Sequence, residues 1–299
     1  MKKLIPLHSP IFSKVEMSYL QDCIRTGWVT TKGKYVEDFK KKLKSHTGSK
    51  FVLPTINGTS SLHIALKLSD VKRGEEVIVP TITYIATINA VSYMGANPIF
   101  MDTESDLNIS VEKINKFFNE ETITNKKGTF NKKSKKKISA LIVVHTFGNA
   151  VDIKSLIKVC KKKKVKIIED AAESLGTYYT KKYLQKKHTG TVGDYGCLSF
   201  NGNKIITTGG GGALLTDESK KYLLGNYLCD QAKDDVVFSI HNDVGYNYKL
   251  SNIQSALGCA QLKKLKSYIK KKKIIHENYC KLFEGSKKFS ILKPKTFCV

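Results

Sequence analysis

Seven apolar runs of strand length recur along the chain, separated by stretches of helical periodicity, and this alternation constrains the fold more than any other feature. The runs are Phe51–Ile56, Glu76–Pro80, Pro98–Asp102, Ile138–His145, Val165–Asp170, Tyr195–Phe200 and Gly212–Thr216. Several are apolar on successive residues, as expected of strands covered on both faces. Between them, Ser60–Leu68, Tyr84–Met94, Ser110–Phe118 and Asp152–Lys162 read as helices. The alternation predicts an α/β fold, a mostly parallel sheet with helices on both faces. Ligands of such sheets lie beyond the carboxyl ends of strands. Asn57, His145, Asp170 and Phe200 fall at or near those ends.

The flanking segments read differently. Pro10–His46 is predicted as two helices broken at Thr26–Gly33, a loop bounded by glycines. Asn125–Lys137 carries turn residues and many charges and is expected to form a solvent-exposed hairpin or loop. From about Ser251 onward the chain is helical, with Leu250-Ser251-Asn252 expected to cap a helix over Ile253–Leu265.

Composition removes several function classes. The chain has 299 residues, 41% of them hydrophobic, enough for a large core. Its net charge of +25 invites a nucleic-acid reading, but all of the 51 basic residues except Arg25 and Arg73 are lysines. They are dispersed and lack aromatic interleaving, so nucleic acid is not the expected partner. The charge would still draw in an anionic substrate. The seven cysteines are scattered without a C-x-x-C pair, which points to a reduced, cytoplasmic setting. No apolar run is long enough to span a membrane, and the amino terminus is too short in apolar length for a signal peptide.

Lys204 carries the chemistry. It follows an apolar strand in Ser199-Phe-Asn-Gly-Asn-Lys204 and precedes the run Gly209–Gly212. Asp170 ends a buried strand, where an unpaired carboxylate is costly. A lysine able to condense with an aldehyde, plus an aspartate for a pyridinium nitrogen, is what pyridoxal phosphate requires. The alternatives are a glycine-rich surface loop for Lys204 and a helix N-cap for Asp170.

Other motifs support the same cofactor. Asn57-Gly58-Thr59-Ser60 stands between a strand and a helix, suited either to a phosphate or to an ordinary N-cap made by Thr59 or Ser60. Ser199, five residues before Lys204, is within reach of the same phosphate. Tyr84 either lies flat against a heteroaromatic ring or packs in the core. Asn247, between Tyr246 and Tyr248, is a ligand contact or a simple turn residue. His63 and His145 lack a second ligand at metal spacing and are expected either to be structural or to support a site residue from behind.

Taken together and in order, these segments closely resemble the DegT/DnrJ/StrS group of sugar-nucleotide aminotransferases. The markers are Gly27-Trp-Val-Thr-Thr-Lys-Gly33, Asn57-Gly-Thr, Pro80-x-x-Thr-Tyr84, Glu169-Asp-Ala-Ala, Ser199-Phe-Asn-Gly-Asn-Lys204, Gly209–Gly212 and Gly245-Tyr-Asn-Tyr. The likeness runs from about Ile5 to Lys264. It implies the aspartate-aminotransferase-type fold (fold type I) of pyridoxal phosphate-dependent transferases. The implied large cofactor domain spans residues 1–250, and residues 251–299 begin a small carboxyl-terminal domain that is incomplete here. His145-Thr-Phe-Gly148 with Asp152, Ser199–Lys204 and the 125–137 insertion look most like the LegC-type subgroup, associated with legionaminic acid or bacillosamine-like sugars.

The resemblance also implies roles. Lys204 carries the cofactor, Asp170 meets its ring nitrogen and Tyr84 stacks on the ring. Gly58, Thr59 and Ser60 cradle the phosphate, with Ser199 as a further contact. Glu173 stands where many members have Gln or His near the ring hydroxyl. Asn247 reaches the neighbouring cofactor across a homodimer interface, and Trp28, Val29, Thr30 and Thr31 line the sugar-nucleotide site. The implied substrates are a nucleotide-linked keto-6-deoxy sugar and an amino donor, glutamate. Some relatives replace the lysine with His and dehydrate the sugar, so Lys204 argues for transamination. Two other readings stay open: an enzyme acting on amino acids, such as a cysteine desulfurase or decarboxylase, and a catalytically impaired cofactor-binding protein.

Overall fold

A computed structural model describes residues 6, 8–235 and 237–299. Helices α1 (Lys14–Thr26) and α2 (Lys34–Thr47) precede β1 (Phe51–Thr55). Then come α3 (Gly58–Leu68), β2 (Glu76–Pro80), α4 (Ile85–Tyr93), β3 (Asn97–Met101) and α5 (Val111–Glu120). A hairpin, β4 (Thr122–Asn125) and β5 (Gly128–Asn131), leads to β6 (Lys137–Val144), α6 (Ile153–Lys163) and β7 (Lys166–Asp170). The short α7 (Lys181–Leu184) precedes β8 (Tyr195–Ser199), β9 (Gly212–Thr216) and α8 (Ser219–Cys229). A small ribbon, β10 (Lys233–Asp235) with β11 (Ile240–His241), is followed by α9 (Asn252–Leu262) and α10 (Leu265–Leu282).

The central sheet runs β1-β9-β8-β7-β6-β2-β3, with β4 and β5 attached beside β6. Along that path β9 alone runs against its neighbours β1 and β8; the other pairings are parallel. The six parallel strands therefore end on one edge. Register levels those ends: Val144 pairs with Asp170, and Asp170 with Cys197. The site is built along that edge.

Alternation along a strand sends successive side chains to opposite faces. On β6, Ala140 and Ile142 join a core with α3, α4 and α8, whereas Leu141 and Val143 join one with α5 and α6. On β9, Leu214 faces the first core, and Ala213 and Leu215 meet α1, α2 and α9. Helix α3 is buried from Ser60 through Leu66, as a helix apolar on nearly every side must be.

The seven apolar runs all became strands, with small changes at the ends. The expected exposed segment at 125–137 is partly structured: its residues Gly128–Asn131 pair with β4 on one side and β6 on the other. Helix α8 and the β10–β11 ribbon had no counterpart in the sequence reading. Of α8, Gly225, Leu228 and Cys229 are buried, too few to leave a periodic signature.

Candidate active site

Strand β7 ends in two carboxylates that face opposite ways. Asp170 Oδ2 accepts the Thr87 hydroxyl at 2.8 Å and Oδ1 the Ala172 amide at 3.2 Å. No helix begins there, so Asp170 is not a helix N-cap. Burial pushes its carboxyl above the usual range, against the Thr87 hydroxyl, the Ala172 amide and the charge of Lys204. Among the described residues no cation forms an ion pair with Asp170. Thr87 escaped the sequence reading, since a threonine inside a helix gives no sign of a partner 83 positions away. Its hydroxyl also meets Thr83 at 2.8 Å, forming a chain Thr83–Thr87–Asp170. Thr87→Val keeps the shape and removes one of the two bonds that orient Asp170. Cofactor affinity should fall roughly 5–30-fold, the equivalent of about 1–2 kcal/mol for a lost bond to a charged group; fluorescence titration of the apoprotein measures it.

Lys204 lies in a tight turn after β8. Its amide donates to Asn201 O at 3.0 Å, and Thr208 N returns to Phe200 O at 2.9 Å. The side chain is 15% exposed and its Nζ lies 3.1 Å from Glu173 Oε1. Glu173 Oε2 accepts the backbone N–H of Phe147 at 3.0 Å. Beside Lys204 opens a cavity of about 800 Å³, bordered by Phe147, Glu173, Ile269, His276 and Leu292. Lys204 is thus a half-enclosed amine held by a carboxylate, and the surface-loop alternative is excluded.

The start of α3 meets the end of β8. Asn57, not Thr59 or Ser60, is the N-cap: its Oδ1 accepts Ser60 N at 2.8 Å. The first-turn amides of Gly58 and Thr59 have no intrahelical acceptor. Gly58 packs so closely on Ser199 that an added Cβ would sit 2.9 Å from Ser199 Cβ. Gly58, Thr59, Ser60 and Ser199 are brought to one place at the carboxyl edge of the sheet.

Tyr84 precedes α4 and its side chain makes no capping bond. It is 77% exposed, which rules out the core alternative. Asn247 is exposed and bridges to Asp230 through the backbone. Neither they nor Trp28–Thr31 form a hydrogen bond or ion pair with Lys204 among the described residues. The Trp28–Thr31 loop is held from below by Asn252, which the sequence marked only as part of a helix cap. Asn252 Nδ2 donates to Trp28 O at 2.7 Å, its amide to Thr30 O at 2.5 Å, and its Oδ1 accepts Tyr35 N at 3.0 Å. Gly33, at φ 145°, is required at the crossing, where a Cβ would lie 2.5 Å from Asn252 Cγ. Asn252→Ala leaves buried partners unpaired and should cost about 2–3 kcal/mol in urea unfolding.

The two histidines are structural, as expected. His63 is buried among Tyr93, Tyr246 and Tyr248, and burial and Lys67 lower its pKa to about 4. His145 is fully buried beside Glu169.

These groups fit pyridoxal phosphate. A buried carboxylate with a raised pKa suits a pyridinium N–H, a half-buried amine suits an aldehyde, and unpaired first-turn amides beside a glycine suit a phosphate. Comparison with known proteins agrees. The profile of the DegT/DnrJ/EryC1/StrS aminotransferase family matches residues 10–296. GDP-perosamine synthase of Escherichia coli O157:H7 is 35% identical over 280 residues, covering 93% of this chain and 71% of that protein. GDP-perosamine synthase of Vibrio cholerae is 35% identical over 281 residues, covering 92% and 70%. The solved structure of Helicobacter pylori PseC, an aminotransferase of pseudoaminic acid biosynthesis, superposes with a TM-score of 0.82 at 26% identity, covering 95% of this chain and 72% of that one. By fold, by sequence and by the residues gathered at the sheet edge, the chain belongs to the DegT/DnrJ/EryC1/StrS aminotransferase family, a family of pyridoxal phosphate enzymes.

Proposed function

We propose that this chain transfers an amino group from glutamate to carbon 4 of a nucleotide-linked 4-keto-6-deoxyhexose, for cell-surface amino-sugar synthesis. The observation that carries the proposal is the Lys204–Glu173 pair beside the buried Asp170. Bound there, pyridoxal phosphate supplies an electron sink and a carrier for the amino group. Asp170 holds a proton on the ring nitrogen. Lys204 anchors the cofactor and then moves a proton between donor and cofactor carbons, a positioned transfer that contributes about 10²–10⁴-fold. Gly58, Thr59, Ser60 and Ser199 hold the phosphate, and Tyr84 covers the ring face. Glu173 fixes the lysine amine rather than the ring hydroxyl, a reading favoured by its 3.1 Å contact.

The LegC-type resemblance rests on His145-Thr-Phe-Gly148 with Asp152, Ser199–Lys204 and the 125–137 insertion. The relatives named above are GDP-perosamine synthases, so the substrate we propose is GDP-linked. A net charge of +25 favours capture of its diphosphate. Trp28, Val29, Thr30 and Thr31 line that sugar-nucleotide site. We further propose a cytoplasmic homodimer in which Asn247 completes the neighbouring site; the exposure of Tyr84 and Asn247 supports this. Residues 1–250 form the cofactor domain in this reading, and 251–299 contribute α9, α10 and a cavity wall. No helix among the described residues is long and apolar enough to cross a membrane.

The test supplies ¹⁵N-glutamate and a panel of GDP-, UDP- and dTDP-linked keto sugars, with detection by mass spectrometry. Label in a GDP-linked amino sugar supports the proposal. A coloured protein that labels none of them instead identifies the catalytically impaired alternative.

A further inference from the structure

Phe147 occupies the left-handed region at φ 53°, and its ring is 70% exposed where the Lys204 cavity opens. That backbone carries a steric penalty for any residue with a Cβ, and such strain persists only where its surroundings over-determine it. They do so here. The Phe147 N–H is fixed by Glu173 Oε2 at 3.0 Å. Gly148 N donates to His145 O at 3.0 Å, and Thr177 Oγ1 holds Gly148 O at 2.9 Å. The ring itself makes no aromatic contact among the described residues, so packing does not account for it. The same Glu173 carboxylate grips Lys204 Nζ at 3.1 Å through its other oxygen. One side chain therefore sets the aromatic residue and the reacting amine at fixed positions relative to each other.

We propose that Phe147 is a specificity-determining residue whose ring stacks on the apolar C–H face of the sugar being aminated. A 6-deoxyhexose presents a methyl group and ring C–H bonds on that face, and an exposed aromatic is the chemistry that recognises them. This rests on the amino-transfer reading of the same site.

The experiment compares holoenzyme carrying Phe147→Gly or Phe147→Leu with wild type, using a GDP-linked 4-keto-6-deoxyhexose and, as a competitor, GDP alone. The KM for the sugar should rise roughly 3–10-fold in both variants, while the KM for glutamate and the Ki of GDP stay within about twofold. Phe147→Gly should not lower Tm and should raise it by about 1–3 °C, because glycine removes the steric penalty; Phe147→Leu keeps the penalty and gains nothing. Unchanged sugar KM in an active protein overturns this inference and leaves the amino-transfer reading intact. A GDP Ki that rises in parallel assigns the ring to the nucleotide and overturns it too, as does a Tm that falls by several degrees. Wild-type protein that aminates no sugar nucleotide removes both readings.

Discussion

Lys204→Ala is expected to reduce amino transfer by roughly 10³–10⁴-fold while the fold stays intact. The side chain is 15% exposed and its ion-pair partner among the described residues, Glu173, is 38% exposed, so the carboxylate left behind is hydrated. Removing so open a pair costs at most about 1 kcal/mol. The loss therefore falls on chemistry: the amine proposed to anchor the cofactor and carry the proton is gone. Asp170 and the α3 amides remain, so the variant should still take up cofactor, held without a covalent bond. Borohydride treatment followed by peptide mass spectrometry should attach cofactor to the Lys204 peptide in wild type and to none in the variant. Attachment at another lysine, or activity within tenfold of wild type, ends the assignment.

The parts of this site that the sequence announced are those with local signatures. Continuous apolar runs marked strands buried on both faces, and their last residues marked the edge where Asp170 and Ser199 lie. The cap expected within Leu250-Ser251-Asn252 is made by Ser251, with Gln254 completing a capping box. The glycine-bounded break at Thr26–Gly33 separated α1 from α2. What stayed hidden depends on contacts between distant segments. Thr87 orients Asp170 across 83 residues and Asn252 ties down Trp28 across 224, and neither spacing follows a helix or strand period. Phe297–Val299 pair with Tyr178–Thr180, although polar residues surround both segments and neither reads as a strand. Phe147 lies within the His145–Gly148 motif, yet its strained φ exists only once Glu173 and Thr177 are placed around it.

Glu169, the neighbour of Asp170, should prove the costliest polar residue to change for stability. It is fully buried and accepts four hydrogen bonds: Gly193 N at 2.6 Å, Val192 N at 2.7 Å, Gly190 N at 2.9 Å and His145 Nε2 at 3.0 Å. His145 Nδ1 accepts Val151 N at 3.1 Å, so the ring proton belongs on Nε2 and the imidazole is a neutral donor. Burial alone would raise the Glu169 pKa; His145 and the backbone amides outweigh it and hold the carboxyl below the usual range. Glu169→Gln places an amide N–H₂ against groups that are all donors. The expected cost is about 3–5 kcal/mol at neutral pH, the range for breaking a buried charged network. Because the folded pKa is depressed, the stability Glu169 contributes is present above its unfolded value, near 4.5, and is lost as pH falls through the folded value. Urea melts at pH 7 and below pH 4 should therefore show the gap between wild type and Glu169→Gln narrowing in acid; a gap that does not vary with pH, or one under about 1 kcal/mol, would contradict a charged Glu169. The site feels the same change, since His145 N donates to Asp170 O at 3.1 Å and ties the two strand ends together. Loosening Glu169 frees His145, and with it the backbone that holds Asp170; on the proposed role of Asp170, cofactor affinity should fall along with stability.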